Sequence, residues 1–318
     1  MRSEDITDYL NILLILGIFF LSVNTLKAQT KNGFDLSNAL IPAEEVKSGG
    51  PPKDGIPSID KPKFIEPGSA EFLQQNERVL GLKYNGVAKA YPIKIMNWHE
   101  IVNDEFGNKP VVVTYCPLCG SGVAYEASVA GEAREFGVSG LLYNNDVLLY
   151  DRASESLWSQ IMSKSVAGPL KGTELEVLPL QLTTWADWQS RYPDTQVLSN
   201  ETGFGRNYNR DPYAGYEEQN QVMFPVSNTD DRFHKKELVL GVKIDGNYKA
   251  YPFSELEKTD GSIRDTFAGQ ELIINYSKMH DSATISSANG KEIPGITLYW
   301  FAWVAFHPDT KVYQASSS

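Results

Sequence analysis

Along most of this chain hydrophobic and polar positions alternate in short runs, the two-residue period of half-buried strands, interrupted by Gly and Asn-rich turns. Residues 79–84 and 87–91 read as two strands joined by Asn85-Gly86, a strong hairpin signal. A short helix is predicted over 93–102, with Ile93, Met96 and Ile101 turned inward, followed by an apolar strand over 111–115. Strands are then predicted over 123–127, 135–138, 141–143, 147–150 and 174–178, with Asn144-Asn145-Asp146 read as a plain hairpin turn. A helix over 184–192 closes the stretch. Upstream, 41–67 is rich in Pro and lacks periodicity, which predicts an extended lead-in lying along the body.

The pattern is written twice. ERVLGLKYNGVAKAYP (77–92) recurs as ELVLGVKIDGNYKAYP (237–252), FGNKPVVVTY (106–115) as FAGQELIINY (267–276), and WQSRYPDTQV (188–197) as WVAFHPDTKV (303–312). Such a duplication implies two related units in one fold. The expected organisation is a lead-in over 29–76, a first repeat with added strands over 77–199, a linker loop over 200–236 and a shorter second repeat over 237–314. The fold class expected is α+β, mainly antiparallel β with short helices, as two pseudo-twofold related repeats sharing one core.

Residues 10–23 form an apolar run short for a membrane span, with a small residue, Ala28, where a signal peptidase would cut. This predicts a signal peptide over 1–28, export to the periplasm or beyond, and no stable membrane span in the mature chain. The acidic leader residues Glu4, Asp5 and Asp8 fit that reading poorly, and the alternative is a retained anchor. A net charge of −11 argues against nucleic acid as a partner, because phosphate binding needs clustered Lys and Arg. No small-molecule or protein partner is assigned by the sequence.

The largest difference between the repeats follows their shared Tyr. The first has Cys116-Pro117-Leu118-Cys119-Gly120, the second Ser277-Lys278-Met279-His280-Asp281. Two thiols three positions apart between strands, with a Gly after the second, suit a metal knuckle. A thioredoxin-type motif would open a helix, which Gly120-Ser121-Gly122 opposes. One knuckle supplies two ligands, so the rest would come from His99, from His280 if the repeats face each other, or from carboxylates such as Glu100 and Asp104. That donor set suits zinc or copper, and no organic cofactor is indicated. Two other readings stay open. The pair is a reversible dithiol, making the protein a thiol-disulfide oxidoreductase, or it merely closes a turn in a non-catalytic binding or scaffold module.

Several strings, among them NWHEIVNDEFGNKPVVVTYCPLCGSGVAY, FGVSGLLYNNDVLLYDRASESLWSQ, TTWADWQSRYPDT and NYNRDPYAGY, resemble the bacterial family catalogued as domain of unknown function 3179 (DUF3179). The resemblance spans nearly all of the chain after residue 28 and implies a family without an activity. It includes HEIVND, which strengthens His99 as a candidate. A metalloprotease reading of His99-Glu100 fails, because position 103 holds Asn103 rather than a second His. His234 and His307 read as ordinary structural histidines. Residues 151–160 either line a site beside the knuckle or belong to the core, and the stretch from Arg206 to Tyr216 either binds a small anion or glycan or packs over the junction of the repeats, the latter being expected.

Overall fold

The computed structural model describes residues 29–315. The expected signal peptide lies outside them. Among the described residues no helix is long and apolar enough to cross a membrane.

Each NG- or DG-type turn sets a hairpin whose partner strands match the sequence pattern. In the first sheet Arg78–Tyr84 pairs antiparallel with Val87–Pro92, and Gln181–Thr184, Gln196–Leu198 and Phe64–Ile65 complete it. The fourth repeats the order of the first four: Gly295–Tyr299, Leu238–Ile244, Asn247–Pro252, Lys311–Val312, with Lys311–Val312 parallel to its neighbour as Gln196–Leu198 is in the first. The second sheet, built on Ile101–Phe106, Lys109–Cys116 and Ser121–Glu126, matches the fifth, Ser262–Phe267, Gln270–Ser277 and Ser282–Ser287. The third, with Phe136–Tyr143, Asp146–Asp151, Leu157–Ser159, Lys164–Ala167 and Lys47–Ser48, has no counterpart in the second repeat.

Among the described residues the protein is thus mostly antiparallel β with short helices, but the five sheets of three or more strands stand as blades of a β-propeller, beside two two-stranded ribbons. This corrects the expectation of two pseudo-twofold repeats sharing one core. Two blades from one repeat and two from the other, plus one unmatched blade, leave an odd number, which no twofold axis can relate. Nor is there one core among the described residues: their apolar side chains gather in five clusters, the first drawing on the second, third and fourth sheets together.

The helix expected over 93–102 is Ile93–His99, and the chain turns at Glu100, whose φ of 58° ends the helix in the left-handed region. Ile101 then begins a strand. The proline-rich lead-in is tied in: Lys47–Ser48 edges the third sheet, Phe64–Ile65 edges the first, and Ile59 bridges to Val102.

Candidate metal centre

The strand Lys109–Cys116 delivers Cys116 to the end of its ladder, where it pairs with Ser121. Between them the chain makes a tight turn in which the Cys119 N–H donates to the Cys116 carbonyl at 3.2 Å. Gly120 stands at φ 61°, and a Cβ there would lie 2.9 Å from the Tyr299 ring, so both conformation and packing require glycine. This is the strand-turn-strand setting expected of a knuckle. Both cysteines are free thiols and almost wholly enclosed, Cys116 at 1% and Cys119 at 0% exposure.

A third group arrives from the neighbouring blade. Asn144 and Asn145 adopt φ 52° and 65°, the pair of left-handed residues that a tight hairpin needs, and Asp146 follows them. This turn is buried and pinned. Asn145 exchanges hydrogen bonds with the Phe224 backbone, its amide donating to the carbonyl at 2.5 Å and its Oδ1 accepting from the N–H at 2.8 Å. Asn144 accepts from the Ser227 N–H at 2.8 Å, and the Asn145 carbonyl accepts from the Cys116 thiol at 3.4 Å.

Asp146 is thereby held at 0% exposure, and one of its carboxylate oxygens and the two sulfurs all lie within 4.8 Å of one another. Its Oδ2 accepts from the Ile161 N–H at 3.0 Å, whereas its buried Oδ1 has no hydrogen-bond partner among the described residues. Burial pushes the Asp146 carboxyl up to about 8 and the Cys119 thiol well above its ordinary value, the neighbouring Cys116 adding to the latter. Without a counter-charge Asp146 and Cys119 therefore favour their neutral forms. A cation among two sulfurs and a carboxylate would reverse that preference, since a coordinating thiol is deprotonated outright.

The two histidines expected as ligands are not in this group. His99 donates from Nδ1 to the Pro57 carbonyl at 2.7 Å, which leaves Nε2 to accept from the Tyr208 hydroxyl at 2.6 Å. Burial lowers its proton affinity, consistent with a neutral ring that carries structure. His280 occupies the turn equivalent to Cys119, its N–H donating to the Ser277 carbonyl at 3.3 Å, but its Nδ1 meets Thr184 Oγ1 at 2.8 Å. The knuckle turn and the His280 turn border the same cavity, so the repeats do face a common space. Glu100 is buried apart from the group, and Asp104 accepts from Lys89 and from Tyr91.

Around the centre, Gln160 is buried beneath the knuckle strands, donating to Thr114 Oγ1 at 2.8 Å, and Trp158 is core, donating to Asp151 at 3.1 Å. Within the largely exposed stretch from Arg206 to Tyr216, two buried tyrosines dock on the first repeat: Tyr208 donates to His99, and the Tyr216 hydroxyl donates to the Leu118 carbonyl at 3.2 Å. Asp146 is the residue that sequence reasoning missed. Its signal was faint: an Asn-Asn-Asp run sitting in an otherwise apolar stretch, where an exposed turn would be flanked by more polar residues.

A family model described as "Protein of unknown function (DUF3179)" matches residues 53–292, and the chain belongs to that family. No curated protein and no solved structure shows significant similarity to it.

Proposed function

We propose that this DUF3179 protein binds one transition-metal ion through Cys116, Cys119 and Asp146, zinc ahead of copper. The observation that carries the reading is Asp146 Oδ1, a buried carboxylate oxygen without a hydrogen-bond partner among the described residues, on a side chain grouped with two thiols. A buried unpaired carboxyl oxygen is costly unless something compensates it. A cation shared with two thiolates does so. Two sulfurs and one oxygen form a borderline donor set, which suits zinc better than cuprous copper with its preference for all-soft ligands. Three protein ligands leave a fourth position to a water or a backbone carbonyl.

A second reading, a thiol-disulfide couple, is favoured by the contact between the Cys119 and Cys116 thiols. It is opposed by burial, because an attacking sulfur must be reachable and both are enclosed, and burial holds the Cys119 thiol well above its ordinary value. On the strength of the apolar leader over 10–23 alone, we place the protein outside the cytoplasm.

The test is anaerobic purification followed by native mass spectrometry and metal analysis. One equivalent of metal should be present in the parent protein and absent after Cys116→Ser with Cys119→Ser. Full metal content in that double variant would sink the proposal, and a metal-free parent lighter by about 2 Da, restored by reductant, would hand the site to the redox reading.

A further inference from the structure

The two duplicated turns border a cleft of about 930 Å³, within the range of small-molecule sites. We propose that this cleft binds a neutral, polyhydroxylated ligand of the saccharide class. The inference goes beyond the metal reading, since nothing in it requires contact with the sulfur atoms.

The floor supplies donors. Tyr115 and Tyr299 are nearly buried, at 8% and 7% exposure, and border the cleft together with Tyr213. Among the described residues their hydroxyls make no hydrogen bond, whereas the neighbouring Tyr216 gives its hydroxyl to Leu118 and Tyr276 gives its to Asp281. A phenol is protonated in the neutral range, so both can donate.

The rim supplies acceptors. Asp211, Glu217, Glu257 and Asp281 are exposed there, with Glu237 half-buried. Glu257 is paired with Lys278, Asp211 accepts from Asn97 and from the Tyr213 N–H, and Glu237 accepts from the Ser254 N–H, each keeping further lone pairs. The Glu217 carboxylate has no hydrogen-bond partner among the described residues. Against these five carboxylates the lining holds two permanent cations, and both face backbone carbonyls. Arg78 donates to the carbonyls of His280 and Asp281 at 2.6 and 2.9 Å, and Lys236 to those of Tyr216 and Gln219 at 2.6 Å each.

This distribution selects by charge. An anion would face a net negative wall whose cations are already engaged. An organic cation would find the Tyr216 ring taken by Lys236, 3.6 Å from its centroid, and the guanidinium of Arg78 on the floor. A ligand with many hydroxyls, each both donor and acceptor, satisfies floor phenols and rim carboxylates together and lays its apolar face on the tyrosine rings.

Isothermal titration of the metal-loaded protein with glucose, galactose, mannose, maltose and cellobiose tests this, with glucuronate and glucosamine as charged counterparts. At least one neutral sugar should bind, and neither charged counterpart should bind more tightly. Tyr299→Phe, which keeps the ring packed on Gly120, and Glu217→Gln should each weaken that binding about tenfold, the loss of one well-made hydrogen bond. Both variants should retain the parent's metal content and unfolding temperature, so a loss of sugar binding cannot be blamed on the fold or the centre. Absence of binding by every neutral sugar, tighter binding of glucuronate or glucosamine, or undiminished affinity in both variants would each overturn the proposal.

Discussion

Asp146 brings a carboxylate oxygen to within 4.8 Å of the Cys116 sulfur, although the two residues belong to different sheets. If that proximity serves a cation, Asp146→Asn should lower zinc affinity by tenfold or more while leaving both thiols in place. Competition against a chromophoric chelator measures this. The metal-free proteins should behave oppositely. A carboxyl raised by burial contributes stability that is complete below its unfolded value of 3.8 and lost as pH rises through about 8. Metal-free Asp146→Asn should therefore be the more stable protein at pH 8, by urea denaturation, with the difference shrinking toward pH 4. Unchanged zinc affinity in the variant would remove Asp146 from the centre.

The recurring Lys-Ala-Tyr of the two repeats also acquires a physical role. Lys89 and Tyr91, two positions apart and so on one face of their strand, both reach Asp104, the ammonium at 2.8 Å and the hydroxyl at 2.5 Å. Lys249 and Tyr251 do the same with Asp265. The first pair is nearly closed off, with side-chain exposures of 7% and 6%, against 13% and 17% for the second. Removing one partner of a buried pair leaves the other uncompensated, so Lys89→Met should cost about 3–5 kcal/mol and Lys249→Met clearly less. Equal losses in chemical denaturation would contradict the burial argument.

These residues show what the sequence could and could not reveal. Hairpins at Asn85-Gly86 and Asp245-Gly246 were legible because turn chemistry is local, and the duplication was legible because it is literal. The knuckle turn was legible for the same reason. The five-bladed arrangement was not, since strand periodicity says nothing of how sheets are disposed around an axis. Asp146 escaped because its burial depends on Phe224 and Ser227, far along the chain, which fix the asparagines before it. His99 attracted a ligand reading for the converse reason: its partners Pro57 and Tyr208 are distant in sequence, and nothing local announces that both nitrogens are engaged.

The repeats share a second constraint at Gly81 and Gly241. A Cβ at either would overlap an indole, Trp188 in the first repeat and Trp303 in the second, each ring fixed by an Nε1 hydrogen bond to Thr195 or Thr310. Each Trp is buried and cannot shift without breaking that bond. Gly81→Ala and Gly241→Ala should each destabilise by about 2 kcal/mol or more through overpacking. A Gly variant as stable as the parent would mean that the indole yields more easily than its hydrogen bond implies.

His307 contributes to the acid limb of stability. Its ring is stacked on Tyr248 at 3.8 Å between centroids and abuts Trp303 at 4.3 Å, and burial there, with Lys243 adding a little, lowers it from 6.5 to about 3. The native ring refuses a proton that the unfolded chain accepts. A lowered histidine therefore contributes stability that is complete above pH 6.5 and lost as pH falls toward 3, at about 1.4 kcal/mol per pH unit at most. Carboxylates titrate over part of the same interval, so the comparison must be between proteins rather than between pH values. His307→Phe keeps an aromatic ring against Tyr248 but cannot titrate, and its urea unfolding curves should lose less stability between pH 6.5 and 4 than those of the parent. Parallel losses in the two proteins would show that His307 protonates in the fold as readily as in the unfolded chain, and that its enclosure by Tyr248 and Trp303 does not hold in solution.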